Sequence, residues 1–195
     1  MVKRPGATEN RIAQTEYSRV FADAVLKGSL LKKKLQQYML EQKIWDEAKT
    51  ERFFKLADVI ADSEKTLKKG GISLKQAVET AKQMKLDRAE LQEMIAERST
   101  IESSTAEGQA ENARFQKLLT ICLVYKDDGR VVFNSVDELL NEQEEDKLEI
   151  AAKGFDILGQ ILYKLDDKFE ANLPENKFLR EWNLMDDKLR FLNEK

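Results

Sequence analysis

Between Asp146 and Phe169, the apolar residues Leu148, Ala151, Phe155, Leu158, Leu162, Leu165 and Phe169 recur at alternating steps of three and four. Only an α-helix brings such a series onto one side, because strand side chains repeat every second residue. Ile150, Ile157 and Ile161 broaden the stripe beyond a two-helix seam. A stripe that wide calls for burial against at least two other elements, so this segment fixes a mainly α fold.

The same period runs through the middle of the chain. From Asp46 to Lys69, Phe53, Leu56, Ile60 and Leu67 fall on steps of three, four and seven. Lys68-Lys69-Gly70-Gly71 is a helix stop, with cations to complement the C-terminus and glycine to take the left-handed cap. Ser73-Leu74-Lys75-Gln76 is a capping box that starts a new helix at once. That helix repeats Leu74, Ala77, Ala81, Met84, Leu91 and Ile95, with Arg88 interrupting the seam. The expectation is an antiparallel, coiled-coil-like helical hairpin over about 46–100, with arms of roughly 35–40 Å.

Around it the chain divides into residues 1–10 as a flexible arm, 11–104 as a helical region, and 105–195 as a smaller helical unit. The spacing predicts a helix over 11–26, with Val20, Phe21, Ala24 and Val25 on its apolar side, and another over 30–43. Thr105 caps a helix from Ala106 to about Leu119, whose Ala106, Ala110 and Ala113 permit close packing. Two readings stand for 121–133: a short β-hairpin around Asp127-Asp128-Gly129, slightly preferred, or a helix that runs through Val124. Ser135-Val136-Asp137-Glu138 is a second capping box, and Leu173-Pro174-Glu175 opens a last short helix with Phe178, Leu179 and Trp182. Asn193-Glu194-Lys195 carries no evident cap, which leaves open a longer parent protein.

Chemistry is sparse. The 195 residues include no histidine and one cysteine, Cys122. That removes the usual general base, the Ser-His and Cys-His nucleophile pairs, and any structural zinc set. Gly70-Gly71 lacks the lysine and the preceding strand of a phosphate loop. The adjacent pairs Asp127-Asp128, Asp166-Asp167 and Asp186-Asp187 read as turns or solvated surface, and Glu142–Asp146 as a helix start favoured by the dipole. No catalytic residue, no metal and no cofactor is expected, and the chain does not read as an enzyme.

Cys122 sits in the apolar run 121–125, as a small buried hydrophobe would. No stretch of about 18 apolar residues offers a membrane span. The basic start Met1–Gly6 lacks the apolar core of a secretion signal, so the cytoplasm is the expected compartment. Net charge is -3 from 33 basic and 36 acidic residues, too balanced to steer the chain towards nucleic acid. Lys32, Lys33 and Lys34 could touch phosphates, but they equally fit the outer face of the Leu31/Leu35 helix.

What remains is surplus apolar surface. Phe53 and Phe54 cannot both be buried by one neighbour on a slender hairpin, so part of the stripe is expected to meet other proteins or another copy of the chain. The candidate partner-binding residues are Phe53, Phe54, Leu56 and Ile60, and on the later helix Phe155, Leu158 and Leu162.

The stretches Thr105-Ala106-Glu107-Gly108-Gln109-Ala110-Glu111-Asn112-Ala113-Arg114-Phe115 and 124–140, with Asp127-Asp128-Gly129, Phe133 and Ser135-Val136-Asp137-Glu138, resemble proteins of tailed bacteriophages. Leu173-Pro174-Glu175-Asn176-Lys177-Phe178-Leu179 has the same look. The second stretch is similar to tail assembly chaperones, where a helical region is followed by an Asp-Gly turn, a Phe and a helix-starting Ser/Asp segment. The resemblance implies a nearly all-helical morphogenesis factor that holds aggregation-prone tail components in the host cytoplasm, with no catalytic residue inherited. A structural tail or neck protein of the virion, or a small regulator binding nucleic acid or host polymerase through Lys32–Lys34, are the alternatives.

Overall fold

The computed structural model describes residues 1–164 and 168–192; Leu165, Asp166-Asp167 and Asn193-Glu194-Lys195 lie outside the described residues. The fold is mainly helical. The elements are α1 (Ala7–Leu26), α2 (Lys32–Glu41), α3 (Glu47–Lys69), α4 (Leu74–Glu102), α5 (Ala106–Cys122), α6 (Val136–Asn141), α7 (Glu145–Tyr163), α8 (Phe169–Asn172) and α9 (Pro174–Glu181). Among the described residues, no helix is long and apolar enough to cross a membrane. They form two compact units, 1–36 with 101–167 and 37–100 with 168–195. The units interleave along the sequence, where the sequence pattern suggested consecutive regions.

The first unit is organised by α1 against α5. Ala13 on α1 and Ala106 and Ala110 on α5 are fully buried, and Ala24 nearly so. Side chains that small let two helix backbones approach closely. The Ala106 N–H donates to the Leu30 carbonyl (3.0 Å) at one end, while the Val124 N–H donates to Met1 (2.9 Å) at the other. The helices are therefore antiparallel. The Met1 ammonium donates to the Val124 carbonyl (2.6 Å) and the Lys3 N–H to that of Cys122 (2.8 Å). The expected flexible arm is thus tied down: Val2 pairs with Leu123, and α1 begins already at Ala7.

Leu118 and Leu119 of α5 join Ala13 of α1, Leu123, Val132, Phe133 and Leu158 in one core. This explains why α5 continues to Cys122 where a β-hairpin was expected. Helical spacing buries Leu118 and Cys122 together, and an isolated ribbon offers less. What survives of the hairpin is a single antiparallel bridge, Val124 to Val131, closing the Asp127-Asp128-Gly129 turn. Asp128 accepts from the Arg130 N–H (3.0 Å), which holds its carboxyl below the usual range. Thr105 caps α5 by accepting from the Gly108 N–H (3.0 Å). A Cβ at Gly108 would collide with the Glu102 carbonyl and Ser103 backbone, so this junction admits only glycine.

Ser135 caps α6 by accepting from the Glu138 N–H (3.0 Å), but Glu138 reaches back one residue further than a capping box, to the Asn134 N–H (2.8 Å). α7 ends at Tyr163 because Lys164 turns into the left-handed region (φ 53°), so the helix stops short of the expected Phe169. That residue lies on the separate short α8.

In the second unit, Asp46 caps α3 by accepting from the Lys49 N–H (2.9 Å). Ser73 and Gln76 form the expected box at the start of α4: Gln76 donates from N–H to Ser73 Oγ (3.3 Å), and Ser73 N–H donates to Gln76 Oε1 (3.0 Å). Across the Gly70-Gly71 turn, ion pairs link α3 to α4 at Lys49–Glu97 (2.6 Å), Arg52–Glu90 (2.5 Å) and Glu64–Arg88 (2.9 Å). Ala81 of α4 packs with Leu179 of α9 and Met185, and Leu67 of α3 joins that cluster. Arg88, the interruption in the sequence pattern, is the joint: it also reaches Glu175 of α9 (2.6 Å), whose side chain is 1% exposed. Burial disfavours the guanidinium charge, but hydrogen bonds and the field of Glu175 and then Glu64 outweigh it and raise its pKa.

Exposed pairs such as Lys65–Asp62 contribute little to stability. Removing one partner of a buried pair strands the other charge. Arg88→Met is expected to lower unfolding free energy by about 3 kcal/mol in urea titration. Burial, helped by Glu9, also pushes the Cys122 thiol up from its ordinary value. At pH 7 a neutral alkylating agent should leave Cys122 unmodified in the folded protein and label it fully once the protein is unfolded, as read by intact mass.

Candidate functional site

The structure distributes the candidate binding residues unevenly. In the second unit, Leu56 (1% exposed) and Ile60 (5%) are core residues and unavailable to a partner without opening the fold. Phe53 is half-buried, edge-on to Trp45 at 6.4 Å between ring centroids. Trp45 is itself covered by the cations of Lys49 (5.6 Å) and Arg98 (5.7 Å). Phe54 stands out at 61% exposed, in edge contact with Phe53 at 5.6 Å. In the first unit, Leu158 is fully buried and Leu162 packs half-buried against the same core. Phe155 is 52% exposed. Only Phe54 and Phe155 of the seven present most of a large apolar side chain to solvent.

Phe155 belongs to a groove between α5 and α7 of about 600 Å³, lined also by Phe115, Gly159 and Tyr163. The two helices run antiparallel, since Gly154 meets Leu123 and Leu119 while Phe155 lies on Phe115 (4.4 Å between centroids). The walls carry Glu111 and Asp156 and the amides Asn112, Gln116 and Gln160, with no cation in the lining. Glu111 is paired with Arg114 of its own helix (2.6 Å). Asp156 and the three amides make no side-chain hydrogen bond or ion pair among the described residues. The groove is an aromatic floor bordered by unengaged acceptors and amides.

Two glycines of α7 differ in what they do. At Gly154 a Cβ would come within 2.9 and 3.0 Å of the Leu123 methyls and 3.3 Å of Leu119, so the glycine lets α7 seat on α5. At Gly159 a Cβ would meet nothing within 4 Å among the described residues. A glycine in a helix interior costs about 1 kcal/mol relative to alanine, and no packing among the described residues offsets it at Gly159. It forms a notch between Phe155 and Tyr163, one helical turn from each. Sequence reasoning passed over Phe115, Gly159 and Tyr163; a glycine placed inside the most regular stripe of the chain was the available signal.

The second unit has a polar cleft of about 310 Å³ lined by Lys85, Arg88, Glu175 and Asn176, among others. Two of its cations are already engaged, Arg88 by two carboxylates and Lys85 by the Leu189 carbonyl (2.5 Å). Asn176 Oδ1 is a buried acceptor without a partner among the described residues. One ordered water satisfies an acceptor of that kind. No group of three or more His, Cys, Asp or Glu side chains that could hold a metal gathers among the described residues. Lys32, one of the three lysines considered for phosphate contact, is engaged by Glu102 (2.6 Å).

The two glycines give opposite expectations for the same substitution. Gly154→Ala should lower unfolding free energy by about 1 kcal/mol, as overpacking outweighs the gain in helix propensity. Gly159→Ala should raise it by about 0.5–1 kcal/mol. Urea titration of both variants checks the pair. Comparison with known protein families, with characterised proteins and with solved structures returns no match.

Proposed function

We propose that this chain acts by binding other proteins, with no chemical step of its own, as a bacteriophage morphogenesis factor of the tail-assembly-chaperone kind. The observation that carries the binding part is the exposure of Phe54 and Phe155 on helices that are already anchored by Leu56, Ile60 and Leu158. Large aromatic side chains left half in water on firmly seated helices suit an interface better than a core. The phage assignment is supported by the resemblance of the Thr105–Phe115, 124–140 and 173–179 stretches alone. In this reading α3 and α4 form a helical hairpin braced by its cross-helix ion pairs. It displays Phe54 on one outer face, in a protein resident in the host cytoplasm.

The carboxylates considered for chemistry support a non-catalytic reading. Backbone donors hold Asp128, Asp186 and Glu142 below the usual carboxylate range, so each is a poor proton donor near neutral pH. Asp128 and Asp186 spend their oxygens on the turns that follow them.

Affinity capture from the soluble fraction of phage-producing cells tests the proposal. A tail component recovered at fixed ratio, together with absence of the chain from finished particles, is the expected result. Recovery of the chain alone, or of nucleic acid, overturns it. Phe54→Asp should reduce capture while changing unfolding free energy by less than about 0.5 kcal/mol, because the side chain is mostly solvated.

A further inference from the structure

We propose that the groove between α5 and α7 is a seat for one short amphipathic helix of a partner protein, with Lys or Arg beside its apolar anchors. This rests on the protein-binding reading above and names the partner's chemistry. From Phe155 to Tyr163 the floor spans about 12 Å, two turns of helix, which matches anchors spaced three, four or seven residues apart. Gly159 sits midway along it with open space above its Cα, so a partner's side chain can drop between the two rings.

The charge pattern chooses the partner. Asp156 borders the floor with no partner among the described residues, while Glu111 is paired with Arg114 of its own helix, and the lining itself holds no cation. A basic flank would meet complementary charge, whereas an acidic flank would meet its own sign. The amides Gln116 and Gln160 can donate or accept, so they fit the polar edge of a helix without selecting its charge. Gly159 is the second, independent mark: packing among the described residues gives no reason for a glycine there, and an occupant approaching closely supplies one.

Two labelled synthetic peptides test the assignment against the full chain by fluorescence anisotropy. Both carry the same Leu/Phe face at i, i+4 and i+7; one has Lys and the other Glu on the flanks. The Lys peptide is expected to bind about fivefold more tightly or better. Gly159→Leu should weaken it by about tenfold, while the variant unfolds at the same or a higher temperature than the parent. Asp156→Asn should weaken the Lys peptide and leave or improve the Glu peptide. Equal binding of both peptides, or undiminished binding by Gly159→Leu, overturns the proposal. Self-association of the chain that disappears in Gly159→Leu, with neither peptide bound, also overturns it and gives the groove to a second copy. If the peptides fail while Phe54-dependent capture of a tail component persists, only the groove assignment falls. If the Lys peptide binds and no tail component is captured, the morphogenesis reading falls and the groove stands.

Discussion

Alanine does not bury much apolar area, yet the contact between α1 and α5 is built on Ala13, Ala24, Ala106 and Ala110. What these residues supply is proximity. Backbones brought close together gain many weak dispersion contacts, and the geometry tolerates no larger side chain without separating the helices. Backbone hydrogen bonds then fix the register from both ends, at Leu30–Ala106 and at Met1–Val124. With α5 held in this way, Leu118 and Leu119 meet Leu158 and Phe133 in the core that Ala13 also enters, and α7 takes its place by virtue of Gly154. The Phe115–Phe155 contact, and with it the groove, is downstream of that seating.

The second unit relies on a different device. Besides an apolar core that includes Leu56, Ile60, Met84, Ala81, Leu179 and Met185, its helices are joined by ion pairs. Most of those pairs are solvated and count for little individually. Arg88 is the exception, because Glu175 is buried and the guanidinium is shared between two carboxylates on two other helices. A shared buried charge imposes a definite arrangement more than it adds stability.

Local signals were legible in the sequence and tertiary ones were not. Thr105, Ser135 and the Ser73/Gln76 pair cap helices as their spacing indicates, because a cap is decided within four residues. The stripe of α7 was readable as helix for the same reason. Which members of a stripe face the core is another matter. Leu56 and Phe54, or Leu158 and Phe155, share the same period, and only the position of neighbouring helices separates a 1% exposed residue from a 61% exposed one. Arg88 looked like a flaw in a seam because its partner Glu175 lies 87 residues away. The continuation of α5 to Cys122 depended on a core assembled from four segments, which no local window contains.

The separation of α1 from α5 also has a temporal side. α1 ends at Leu26 and α5 begins at Ala106, so about 80 residues must be synthesised before the alanine face of α1 meets its match. At ordinary ribosomal speeds that interval lasts roughly 4–16 seconds. During it the first helix has no native surface to lie against. The order of events during synthesis is then set by topology: the long-range contact that organises its unit forms only after α2, α3 and α4 have been made.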